Sequence, residues 1–171
     1  DVSGMARSSL LYDPKIRDAV ELGNSIQSIR KTNRNLKIFY TNGKFRVLTP
    51  AHCVFLSVCK SQCDLLIVGI NSDYSLRLLK EESPFKADER AFSVASLPFV
   101  DYVTIFDEDT PYLSISSIDP DIVVKGYDYE GKKVVSAGKQ VKIIKHPFDI
   151  HVSDIQGFKS NNKYFNIWSA Y

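Results

Sequence analysis

The unbroken run Leu65-Leu66-Ile67-Val68-Gly69-Ile70 constrains the fold of this chain more than any other stretch. It has the length of a strand, and its lack of polar alternation means that both faces are buried. A strand covered on both faces belongs to a parallel sheet, whose crossover helices lie on either side. The flanking sequence supplies those helices. Asp13-Pro14 reads as a cap and a first-turn proline, after which Ile16, Val20, Ile26 and Ile29 recur at helical spacing to about Lys31. Residues 36–40 read as a strand ended by Asn42-Gly43, and helical spacing returns over 52–62, 73–80 and 88–96. A polar loop with a proline fills 81–87. Residues 102–106 are the next strand, 110–118 a helix, and 122–125 and 141–144 two further strands. The expected fold is therefore α/β, a Rossmann-like doubly wound parallel sheet of about five strands with flanking helices.

Charge and cysteine usage narrow the function classes. The 171 residues carry 22 basic and 20 acidic side chains, a net charge of +2. So balanced a surface argues against a nucleic-acid partner, which needs a basic stripe. No apolar run approaches the ~20 residues that cross a bilayer, and residues 1–9 lack the pattern of a secretion signal, so no membrane partner is expected. Cys53, Cys59 and Cys63 are odd in number and include no CxxC pair, which suits reduced cysteines in a helix core and a cytoplasmic protein. His146 and His151 match no zinc spacing, and no protein metal site is expected. The chain divides into an N-terminal extension (1–12), one domain (13–157) and an aromatic tail (158–171) suited to docking on its own domain or on a neighbour.

Ligands of an open parallel sheet bind beyond the carboxyl ends of the strands, where strand order reverses. The loops that matter are thus 41–51, 71–73, 106–110 and 126–131. The first feeds a helix beginning near His52, and a helix start offers free N–H groups and a positive dipole end to a phosphate. His52 would add a donor there, or would simply cap the helix. Neither a Walker A nor a GxGxxG loop is present. Read alone, Lys80 and Arg90 are solvated helix charges, and Asp107-Glu108-Asp109 is a solvated loop or cap ahead of Thr110-Pro111.

Several segments then fall in a telling order. They are Ile38-Phe39-Tyr40-Thr41-Asn42-Gly43-Lys44-Phe45, Thr49-Pro50-Ala51-His52 and Asp64-Leu65-Leu66-Ile67-Val68-Gly69-Ile70-Asn71-Ser72-Asp73. Arg77 to Lys80, Pro84, Arg90, Asp107-Glu108-Asp109-Thr110-Pro111 and Pro120-Asp121-Ile122-Val123-Val124-Lys125-Gly126-Tyr127-Asp128-Tyr129 follow. Together they resemble the cytidylyltransferase-like nucleotidyltransferases of the HxGH type. More narrowly they are similar to the adenylyltransferase domain of ADP-heptose synthase, with its TNGCFDxxHxGH, DxLIVAVNSD and PDxLVKGGDY patterns. The resemblance covers about residues 14–155. It implies transfer of a nucleotidyl group from ATP or CTP to a phosphorylated small molecule such as a sugar phosphate, with release of pyrophosphate and with Mg²⁺ bridging the phosphates. It implies a catalytic set of His52, Thr49 in place of the first histidine, Lys80 and Arg90. Gly43, Lys44, Phe45 and Arg46 would line the phosphate loop. Lys125, Asp128, Tyr129 and Ser153 would face the nucleotide, and Asn71 and Asp73 the acceptor. A homodimer or larger complex accords with the family.

The departures fall at ligand-facing positions. Arg46 stands where the family has Asp, Thr49 and Ala51 replace His and Gly, and Glu81-Glu82-Ser83 lacks the usual Gly and Arg. Tyr127 replaces Gly, and Val152-Ser153-Asp154 stands where a Ser-Thr-Thr helix start closes on the triphosphate. Two readings follow. One is a transferase with a shifted acceptor or triphosphate. The alternative is an inactive member serving as a nucleotide-binding or structural interaction subunit, with its cleft obstructed by Arg46 paired to Asp73 or Asp154.

Overall fold

The computed structural model describes residues 2–145. Five parallel strands, β1 (Ile38–Gly43), β2 (Leu65–Asn71), β3 (Tyr102–Phe106), β4 (Ile122–Gly126) and β5 (Gln140–Ile144), lie in the order β3-β2-β1-β4-β5. The chain steps outward from β1 to β3, then returns to lay β4 on the other side of β1. Strand order thus reverses between β1 and β4, as the expected doubly wound sheet requires. Six helices accompany the strands: α1 (Arg7–Leu10), α2 (Ala19–Thr32), α3 (Pro50–Lys60), α4 (Asp73–Leu78), α5 (Ala87–Ala95) and α6 (Tyr112–Ile118). Ser153, Asp154, His146, His151 and the aromatic tail lie outside the described residues.

Alternate residues of one strand feed two cores. Phe39, Leu66, Val68 and Ile70 pack with Leu56 of α3 and Val94 of α5. Ile38, Tyr40 and Ile67 face the other way and pack with Leu22 and Ile26 of α2 and Ile115 of α6. Burial on both faces is why β2 has no polar position until Asn71. Gly69 has its own reason. A side chain there would stand 2.0 Å from the hydroxyl of the fully buried Tyr40. The Tyr40 hydroxyl and Thr104 Oγ1 are buried without a hydrogen-bond partner.

Several boundaries differ from expectation. The helix read from Asp13 begins at Ala19, where the Asp18 carboxylate accepts from the N–H groups of Val20 (2.9 Å) and Glu21 (3.1 Å). Asp13 instead accepts from the Lys15 N–H, and Ile16 runs beside β3. The Arg17 N–H donates to the Val103 carbonyl and the Val103 N–H to the Lys15 carbonyl, each at 2.8 Å. β3 is a sheet edge, and satisfying its backbone outweighs the helical spacing of Ile16. The 1–12 extension is tied down too, because Arg7 pairs with Asp88 and Glu89 of α5. Finally, α3 starts at Pro50 instead of His52. The three cysteines are free, and burial pushes the Cys59 thiol up to about 12 and the Cys63 thiol up to about 11. Among the described residues no helix is long and apolar enough to cross a membrane.

α2 and α6 meet at Gly23, where a Cβ would stand 2.0 Å from the Ser117 carbonyl oxygen. Neither backbone can yield without separating the helices. Gly23→Ala is expected to destabilise the fold by about 1–3 kcal/mol through overpacking, read from urea denaturation.

Candidate functional site

Where β1 and β4 diverge, a cleft of about 350 Å³ opens at the carboxyl edge of the sheet. β1 contributes Asn42 and Gly43, followed by Lys44, and β2 contributes Asn71. β4 contributes Lys125, and Tyr129 from the following 3-10 turn closes that side. Thr110 and Pro111, just ahead of α6, form the opposite wall.

Lys125 is the dominant charge in this space. The residue is only 7% exposed, and its ammonium donates to the Asn42 carbonyl (3.0 Å) and lies 4.7 Å from the centre of the Tyr129 ring. Burial brings it down to about 8, against the pull of Asp128 upward, and Lys44 pushes it lower still. A cation so placed joins the carboxyl ends of β1 and β4 and welcomes an anion, whose charge would restore the ammonium to its ordinary range.

The segment after β1 is built around a capping box. Thr49 Oγ1 accepts from the His52 N–H (3.3 Å), and His52 Nδ1 accepts from the Thr49 N–H (3.1 Å). Because Nδ1 accepts, neutral His52 carries its proton on Nε2, so one nitrogen holds the helix start while the other is a donor. Phe45 adopts a left-handed conformation (φ 45°), is 7% exposed and meets the His52 ring at a tilt of 54°, with ring centres 5.0 Å apart. A side chain at Gly43 would meet the Phe45 ring at 2.8 Å, so Gly43 is the space that Phe45 needs.

Arg90 is 2% exposed and works from behind the cleft. Its Nη1 donates to the carbonyls of Lys44 and Asn71, each at 2.7 Å, and its Nε donates to the Phe85 carbonyl at 3.0 Å. Nη2 pairs with Asp73 at 3.2 Å. Burial holds this guanidinium below its ordinary range, with Asp73 opposing the shift.

A model of the family described as cytidylyltransferase-like matches residues 40–170. The chain belongs to the cytidylyltransferase-like family. It is 49% identical over 127 residues to bifunctional protein HldE of Wolinella succinogenes, covering 71% of this chain and 27% of that protein. It is 41% identical over 143 residues to bifunctional protein HldE of Campylobacter curvus, covering 81% and 30%. The chain therefore spans less than a third of the length of these relatives. The lipopolysaccharide core biosynthesis protein from Thermoplasma volcanium GSS1 shares the fold, with a TM-score of 0.55, 24% identity and coverage of 65% of this chain and 96% of that one. So does pantoate-beta-alanine ligase from Francisella tularensis, with a TM-score of 0.50, 13% identity and coverage of 76% and 66%.

In this cytidylyltransferase-like domain the residues singled out in the sequence separate into groups. Gly43, Lys44, Asn71, Lys125 and Tyr129 come together in the cleft. Thr49 and His52 stand at the start of α3, outside that lining. Asp128 sits on the 3-10 turn beside Tyr129. Phe45 is a buried prop under the loop instead of a wall. Arg90, read alone as a solvated charge, is buried, and four of its five N–H groups are held by three carbonyls and a carboxylate. Lys80 is exposed in a left-handed turn (φ 57°) just past α4 and does not line the cleft. Arg46 is exposed and also outside the lining, so the plug expected of an inactive member does not form with Asp73, whose partner is Arg90. Its other expected partner, Asp154, lies outside the described residues.

The sequence reading missed Lys133, which follows no motif, Leu79, which lies in the Arg77 to Lys80 segment but was given no role, and Asp109, which was read as a solvated loop or cap. Among the described residues no group of three or more His, Cys, Asp or Glu could cage a metal. The cleft does offer the Asp109 carboxylate as a hard oxygen donor. That donor set fits a Mg²⁺ that arrives on phosphates with its own waters, since this ion needs only one or two protein carboxylates. Arg90→Ala would leave three carbonyls without their donor and is expected to cost about 2–4 kcal/mol of stability, measured by thermal melting.

Proposed function

We propose that this domain transfers a nucleotidyl group from ATP or CTP to a phosphorylated acceptor such as a sugar phosphate, releasing pyrophosphate. The observation that carries the reading is the buried Lys125 ammonium set in an open cleft at the strand-order reversal. Family membership and the likeness to bifunctional protein HldE support it. An oxygen of the acceptor phosphate attacks the α-phosphorus while the α–β bridging P–O bond breaks, and pyrophosphate leaves with the electron pair. No covalent intermediate on the protein is required, so its work is positioning and charge stabilisation.

Each residue then has a task. Lys125 and Lys44 hold the negative charge of the triphosphate, and His52 donates from Nε2 to its oxygens. Arg90 is a positioning residue that fixes the backbone of Lys44 and Asn71, and so sets the distance between the nucleotide and acceptor sides. Asn71, braced by its own Nδ2 donating to Ser75 Oγ (2.9 Å), faces the acceptor. Asp109 would help to hold a Mg²⁺ brought in on the phosphates, and that ion would supply charge neutralisation. Three free cysteines suit a reducing, cytoplasmic setting.

Pyrophosphate release is the direct test, with ATP or CTP offered alongside a panel of sugar phosphates. Release with at least one pair is expected, and none with any pair would sink the reading. Lys125→Met and His52→Ala should each lower kcat/KM by about 10²–10³-fold, the scale of losing one preorganised donor. Lys125 also gives a pH signature. It is charged below about 8 and loses its proton above that value. ATP affinity measured by calorimetry should therefore fall as pH rises from 7 to 9, and this fall should be missing in Lys125→Met.

A further inference from the structure

Lys44 lines the cleft, yet in the free protein its ammonium is engaged by the carboxylate of Glu81. Both ends of this pair rest on fixed backbone. The Lys44 carbonyl is held by Arg90 Nη1 at 2.7 Å, and the Glu81 N–H donates to the Leu76 carbonyl at 2.9 Å, closing the end of α4. Left-handed Lys80 makes the turn that brings Glu81 round, and neighbouring Leu79 lines the same wall. The Lys44 and Glu81 side chains are 39% and 33% exposed, enough for water and a ligand to reach them. Attraction in an exposed pair is weak, so a group with more charge than a carboxylate can displace Glu81. Of the lysines lining the cleft, Lys125 holds a backbone carbonyl, whereas Lys44 is paired with an acid.

We propose that Glu81 competes with ligand phosphate for Lys44, so that the Lys44–Glu81 pair is an exchange latch at the mouth of the cleft. The proposal rests on the phosphate-binding reading of the cleft and adds a residue to it. On entry a phosphate takes the Lys44 ammonium and Glu81 turns to solvent. On departure Glu81 takes the ammonium back, lowering the barrier to release. Glu81 is thereby a positioning residue that weakens phosphate affinity through Lys44. The same exchange explains why an acidic residue is tolerated beside an anion site.

Calorimetry with inorganic pyrophosphate on the full chain separates the outcomes, using wild type, Glu81→Gln, Lys44→Met and the double variant at one salt concentration. Glu81→Gln should bind roughly two- to fivefold tighter than wild type, the range of an exposed ion pair. Lys44→Met should cost more affinity in the Glu81→Gln background than in wild type, by about the same factor, because there Lys44 has no competitor to lose. Equal cost in both backgrounds would overturn the latch and leave Glu81 as a distant repulsive charge. Unchanged affinity in Glu81→Gln would overturn it as well. Tight wild-type binding with either result leaves the cleft reading intact, whereas no binding by any of the four proteins ends both.

Discussion

A backbone carbonyl left buried and unpaired costs about 1–3 kcal/mol. Arg90 answers that cost at the edge where the cleft opens. One planar guanidinium collects the carbonyls of Lys44, Asn71 and Phe85 and the carboxylate of Asp73. These four groups belong to the loop after β1, the end of β2, the loop before α5 and the start of α4. Their mutual placement decides where Lys44 and Asn71 face the cleft. A lysine could not substitute, because its single ammonium lacks the fork that reaches several directions at once.

The cleft itself is an electrostatic object with a small number of parts. Lys125 is buried between β1 and β4 and kept cationic below about 8, while Tyr129 covers it with an aromatic face. Lys44 is shielded by Glu81. The departures from the family pattern sort accordingly. Arg46, which reverses a charge in the family motif, is exposed and outside the lining, so it leaves the field inside the cleft to Lys125 and Lys44. Thr49 loses a histidine but gains the cap of α3 and orients His52 through it.

Much of this was legible in the residues. The apolar run of β2 reported a strand covered on both faces, and its neighbours in sequence gave the crossover helices. The colinear segments marked the loops that converge on the cleft. What escaped was tertiary in origin. Ile16 carries helical spacing, but an unpaired sheet edge captured it as an extended segment. Arg90 looks like a surface charge until its place is noticed beside Ala91 and four residues before Val94, on the buried face of α5. Phe45 lies in a motif that lines phosphate in the family pattern, and only the space left by Gly43 shows that its ring turns inward. Glu81 has a partner 37 positions away, which no local pattern encodes.

The phenol of Tyr40 lies over Gly69 of the adjacent strand and fills the volume that a methyl group there would claim. The two positions are therefore locked in a trade of bulk between neighbouring strands. The family pattern has Ala where Gly69 stands. An Ala at position 69 therefore calls for something smaller than tyrosine at position 40.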